Sequence, residues 1–164
     1  MIADAESIRD IFSIFHDGTI KKAILSDQTM RMTIDIPYLA DRVKSGNKYF
    51  FVELDGFRDV EFHAWSGMLG KNKELVTDLA LIFRSELEIL EANLKEERFE
   101  VVCNIKSTSN SNFYGGELLF RANSALVFDE AQKKYSISEL KNICRDYWNE
   151  WKTKNSKTSG LNPK

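Results

Sequence analysis

The chain has 164 residues, 43% of them hydrophobic, with eleven Phe and three Trp; that excludes disorder over most of its length and suffices for one domain with a real core. Its formal charge is −2, but the segment from Lys152 onward carries four Lys and no acid, so residues 1–151 hold 19 basic against 25 acidic residues, or −6. A body of that sign argues against a nucleic-acid partner, which needs a basic stripe, and suits a basic protein partner.

The first residues, Met1-Ile2-Ala3-Asp4-Ala5-Glu6, place acids where a secretory signal has its basic region. No run approaches the ~20 apolar residues that a membrane span needs. Cys103 and Cys144 occupy apolar positions in a strand pattern and a helix pattern, which reads as two small buried hydrophobes. A reduced, cytoplasmic protein with no membrane partner is expected.

Residues 4–15 predict a helix: Asp4 can cap it, and Ile8, Ile11, Phe12 and Phe15 repeat on one face. The turn His16-Asp17-Gly18 ends it, with Gly18 expected to supply a positive φ and Asp17 a local Asx-type bond. Thr19 to Ser26 reads as a strand, joined across Asp27-Gln28 to a second one in which Met30, Met32, Ile34 and Ile36 alternate with Arg31, Thr33 and Asp35. Pro37 ends that strand, and Tyr38 to Lys48 reads as a polar loop. Tyr49 to Asp55 is a nearly continuous apolar strand, after which Val60, Phe62 and Ala64 alternate with Asp59, Glu61, His63 and Trp65. Gly56 between them reads as a bend that turns one long strand through a corner.

Ser66 to Lys73 reads as a loop. For residues 74–86 a short helix or turn is favoured, with a strand over Leu79 to Phe83 as the alternative, since periodicity alone cannot arbitrate such runs. From Leu87 the pattern is strand, with Leu90, Ala92 and Leu94 alternating, a charged turn at Lys95 to Arg98, and Phe99, Val101, Cys103 and Ile105 alternating after it. A helix over 86–97 is the second reading. Ser107 to Asn112 is a loop of turn formers, Gly115-Gly116 leads into a strand, Asn123-Ser124 turns into Ala125 to Phe128, and Asp129 to Tyr135 is a polar connection. Ser136-x-x-Glu139 is a capping box, opening a helix whose stripe is Ile137, Leu140, Ile143, Cys144, Tyr147, Trp148 and Trp151. This helix is expected to lie across an open face of the sheet.

The elements together predict an α+β fold: a mainly antiparallel sheet, strongly bent or partly barrel-like, with a short N-terminal helix and an amphipathic C-terminal helix packed on it. Residues 1–151 form a single domain and residues 152–164 a flexible, polar, basic tail.

Chemistry-bearing constellations are sparse. The His16-Asp17 dipeptide occurs in metal phosphohydrolases, but such a centre needs several further histidines and only His63 remains, so a structural turn of His16, Asp17 and Gly18 is the better reading and no metal is expected. Asp59, Glu61, His63 and Trp65 share one strand face, where Glu61 and His63 could hold a cation or orient a proton transfer, with Asp35 joining them if its strand is a neighbour. Solvent-facing strand positions are also charged for solubility alone. Walker, dinucleotide-binding and nucleophile-elbow motifs are absent, neither cysteine resembles an activated thiolate, and the cysteine and histidine counts exclude the common zinc frameworks. No catalytic residue and no cofactor is expected. Tyr147-Trp148-x-x-Trp151 could present an aromatic platform to a partner, although helical spacing favours core packing.

The turn Phe15-His16-Asp17-Gly18, the antiparallel run that follows it to Trp65, and the helix Glu139-Leu140…Cys144-x-x-Tyr147-Trp148 resemble small bacterial proteins grouped near the immunity proteins of polymorphic toxin systems, the type called immunity protein 50. That resemblance implies a non-enzymatic protein that binds and neutralises a cognate toxin, and an acidic body would suit a basic, toxin-like one. The other readings are a small-molecule or metal-dependent enzyme on the polar face around Glu61 and His63, and a module that pairs with a second copy as a homodimer through an exposed strand edge.

Overall fold

Helix α1 (Ala5–Ile14) starts where the Asp4 carboxylate accepts the Ser7 amide at 2.7 Å, the cap that its sequence promised. Its stripe of Ile8, Ile11 and Phe12 is buried. The structure, a computed structural model, describes residues 1–66, 72–106 and 113–158. After α1 the chain turns at Asp17, and the positive φ (64°) falls on Asp17 rather than on Gly18, where it was expected. Gly18 is needed for space instead, because a Cβ there would stand 2.8 Å from the Phe15 carbonyl oxygen and 3.1 Å from side-chain carbons of Ile34 and Ile36.

Strands β1 (Thr19–Ser26) and β2 (Thr29–Asp35) form the expected hairpin, with Met30, Met32 and Ile34 buried and Arg31, Thr33 and Asp35 partly exposed between them. Pro37 ends β2, yet it also opens helix α2 (Pro37–Val43), which the sequence reading takes as loop. Proline suits that first position because the amide it lacks has no partner in the helix. Strand β3 (Tyr49–Asp55) then reaches Gly56 at φ 66° and continues as β4 (Arg58–Ser66), the predicted bend. Beyond it come β5 (Asn72–Val76) and α3 (Leu79–Ile82), so the ambiguous stretch holds a short helix preceded by a strand that the reading missed.

Strand β6 (Leu87–Lys95) and β7 (Arg98–Ile105) pair across a turn with Glu96 and Glu97 both at positive φ, which rules out the helix alternative over 86–97. The ladder shifts register between Ile89 and Glu91, so Leu90 sits at the bulge and is exposed, not in step with Ala92. Strands β8 (Phe113–Arg121), β9 (Ser124–Asp129) and β10 (Lys134–Tyr135) complete the sheet, and helix α4 (Ile137–Thr158) follows. The expected loop at Ser107 to Asn112 and the glycines of the 66–73 loop, Gly67 and Gly70, fall outside the described residues.

Among the described residues ten strands make one antiparallel, unclosed sheet in the order β10-β9-β3-β2-β1-β6-β7-β8-β4-β5. The 49–66 run and the 113–129 run pair with each other twice, as β3 with β9 and as β4 with β8. Their common corner, Gly56 against Asn123, divides the sheet into two arms. Helix α1 fills the space between the arms: Phe15 stacks on Phe50 of β3 at 5.2 Å, and Phe12 meets Phe120 of β8 edge-on at 5.7 Å. Each such ring, fully removed from water, contributes about 1.5–3 kcal/mol.

Helix α4 opens with its capping box formed: Ser136 Oγ accepts the Glu139 amide at 3.2 Å, and Glu139 accepts the Ser136 amide at 2.8 Å. Its main contacts are with α1 and α2 rather than with an open sheet face. Lys141 pairs with Asp10 at 2.6 Å, and Arg42 of α2 makes a two-pronged ion pair with Glu150. The helix continues past Trp151 to Thr158, into the segment expected to be tail.

Candidate functional site

Three of the sequence-predicted residues lie where the strand period places them. On β4 the side chains of Phe62 and Ala64 enter the core, while Glu61, His63 and Trp65 emerge on the opposite face. Asp59 leaves the alternation, because the ladder is irregular between Arg58 and Glu61 and Asp59 itself has φ 54°. Its carboxylate still reaches the same surface, 3.4 Å from Arg121 Nε.

The electrostatics of this face are those of paired ions. Glu61 lies 3.1 Å from His63 Nε2 and 3.2 Å from the Arg98 guanidinium, and these partners, His63 foremost, hold its carboxyl below the usual range. Glu117 of β8 sits across from His63. It accepts both Lys73 Nζ at 2.8 Å and the Trp65 indole N–H at 3.2 Å. Partial burial opposes ionisation of Glu117, but those two donors outweigh it and its carboxyl is also held low. The nearly buried Glu100 is met by Lys95 at 2.7 Å. A general base works with a pKa near the operating pH. Carboxylates held down by fixed cations do the reverse, so this lattice binds strands together and is poorly placed to move protons.

Asp35 does not join that face. It sits at the end of β2, opposite Thr19 and Tyr49, with β1, β6, β7 and β8 between it and β4. What it joins is the turn after α1. Asp17, Asp35, Tyr38, Lys106, Tyr147 and Trp148 line a cleft of about 390 Å³. Four separate stretches of chain meet there: the α1–β1 turn, the β2–α2 junction, the end of β7 and the middle of α4.

The cleft is walled by aromatic rings. Tyr38 donates its hydroxyl to the His16 carbonyl at 2.7 Å and packs on Tyr147 with centroids 4.6 Å apart. Trp148 stacks on the His16 imidazole at 5.5 Å and 21°. Burial foremost, then the nearby Asp17 charge, pushes the Tyr38 hydroxyl well above its ordinary range, so it stays a neutral donor. Tyr147 and Trp148 are half-buried and Trp151 is 49% exposed, so the aromatic stripe of α4 is part wall and part surface rather than core throughout.

The charges around the cleft do not cancel. Lys21 is 2.7 Å from Glu86 but 3.9 Å from Asp35, and Lys106 is 2.8 Å from Glu88. Counting Asp17, Asp35, Glu86 and Glu88 against Lys21 and Lys106 leaves two negative charges. The His16 imidazole is 3.4 Å from the Asp17 carboxylate. Among the described residues no three His, Cys, Asp or Glu side chains gather as a metal site would require. Burial raises both thiols, Cys103 in the core and Cys144 on α4, so neither is a thiolate at neutral pH.

The sequence held two signals for this cleft, the His16-Asp17-Gly18 turn and the Tyr147-Trp148 pair, but nothing that joined them to Asp35 or Tyr38. Among the described residues no helix is long and apolar enough to cross a membrane. Comparison with protein families, with curated proteins and with solved structures finds no match for this chain.

Proposed function

We propose that this chain is a non-catalytic binding protein that occludes the surface of a basic protein partner, in the manner of an immunity protein that neutralises a toxin inside the cell that makes it. The observation that carries this reading is the aromatic-walled cleft with its surplus of negative charge, set in a body that is itself acidic. Electrostatic complementarity of that kind steers encounter and selects a partner by sign. An enzyme on the Glu61–His63 face is disfavoured by its ion pairing, since both carboxylates there are committed to cations.

The test is affinity capture of the full chain from its producing cell, followed by reconstitution of the pair from purified components. A single basic protein retained at equal stoichiometry, whose activity disappears when this chain is added, is the expected result. Retention of no protein, a retained protein that keeps its full activity, or reversible self-association as the sole interaction would overturn the reading.

A further inference from the structure

We propose that the cleft is a receptor for one guanidinium group, the arginine side chain through which the partner docks; this rests on the binding reading above. A cation that enters it meets the rings of Tyr38, Tyr147 and Trp148 and the carboxylates of Asp17 and Asp35. Lys106, which also lines the cleft, is drawn to Glu88 at 2.8 Å, and Lys21 stands closer to Glu86 (2.7 Å) than to Asp35 (3.9 Å). Its volume of about 390 Å³ lies at the small-ligand end of binding cavities, enough for a side-chain headgroup and its stem.

The preference for guanidinium over ammonium follows from shape. A planar cation lies flat against a ring and offers several N–H donors to carboxylates at its edge, whereas an ammonium is a compact, strongly hydrated point charge. The protein already uses this combination within itself. Arg31 lies over the Phe51 and Phe128 rings at 5.1 and 4.8 Å while pairing with Glu53. Arg42 stands 6.0 Å from the Tyr147 ring while pairing with Glu150, beside the cleft itself.

The experiment titrates N-acetyl-arginine amide into the full chain and follows the tryptophan indole N–H signals by two-dimensional NMR, with Trp148 assigned from Trp148→Phe. A saturable shift at Trp148 is expected, weaker with N-acetyl-lysine amide and lost with the uncharged citrulline amide. Asp35→Asn and Asp17→Asn should each weaken binding about tenfold. Asparagine tolerates the left-handed backbone at position 17, so the turn is retained. Glu61→Gln, on the other arm, should leave the titration unchanged. Equal binding of lysine or citrulline amide, or indifference to both aspartate variants, overturns the proposal. So does the lack of a saturable shift in a protein that still captures its partner, and that outcome leaves the binding reading intact. Saturable arginine binding with no partner captured would support the cleft and overturn the function.

Discussion

Glu117 illustrates how single side chains on the second arm are held. Partial burial raises its pKa, yet the Lys73 ammonium and the Trp65 indole keep it below the ordinary 4.5 of a glutamate. A carboxylate whose folded pKa is depressed stabilises the fold above its unfolded value, and that contribution disappears as pH falls through the folded value. Glu117→Gln should therefore be less stable than the parent at neutral pH, and the difference should shrink steadily below pH 4.5. Urea denaturation across that range measures it, and a gap that stays constant down to strongly acid pH would show that the charge plays no part. Trp65 takes its place in this arrangement through a backbone requirement: a Cβ on Gly115 would stand 2.8 Å from its ring. The indole thus lies across a strand that has no side chain at that point, with its N–H directed to Glu117.

At the scale of elements, α4 is the instructive case. Its cap and its stripe are written locally, and both form, whereas its last turns, to Thr158, run past the Trp151 at which the stripe stops. Where it packs is not written locally, because an apolar stripe states how much surface must be covered and leaves open by what. Here the cover comes from α1 and α2, and α2 is itself a helix that the polar composition of Tyr38 to Lys48 concealed. Trp148 consequently sits half-buried between His16 and solvent. A wholly buried tryptophan cut to alanine loses about 3–5 kcal/mol. For Trp148→Ala a loss of ~1–3 kcal/mol is expected, since part of the ring is already wet. Thermal and chemical denaturation decide it; a loss at the upper figure would place the residue in the core, and no loss would remove it from the packing altogether.

The whole molecule is organised by the corner at Gly56. Two long strands cross it side by side, and the space between the arms admits α1. The corner is closely built: Gly56 has φ 66°, a Cβ on it would come within 2.3 Å of the Asn123 side chain, and Arg58 bonds both the Gly56 carbonyl at 2.8 Å and Asn123 at 2.9 Å. Gly56→Ala should lose about 1–2 kcal/mol from left-handed backbone alone. A further loss from the displaced amide should be recovered in part by Asn123→Ala in the same chain, as a double-mutant cycle would register. Additive effects of the two substitutions would show that the crowding is relieved without consequence.

The same corner explains what could be read in advance. Period-two alternation determined β2, β4, β7 and the side of β4 from which Glu61, His63 and Trp65 emerge, because successive residues of a strand must point to opposite faces wherever it pairs. Asp4 and Ser136-x-x-Glu139 determined where two helices begin, since their donors and acceptors lie within one turn. The bend at Gly56 was legible because a glycine in an apolar run has few other uses. Strand β5 was missed, as Asn72 to Val76 is nearly all exposed at the sheet edge and carries no buried face to leave a pattern. The neighbours of each strand were decided only in the folded chain. Asp35 joins the Glu61 face only if its strand is a neighbour of β4, and it lines the cleft with Asp17 instead, because β1 and β6 join the two arms and leave β2 and β4 far apart in the sheet. The cleft belongs to the same category. Its residues come from positions 17, 35, 38, 106, 147 and 148, and no local rule of spacing links a turn, a strand end and a distant helix. Backbone sterics and side-chain alternation act over a few residues and are carried by the sequence; which surfaces meet is settled by the burial of the whole core at once.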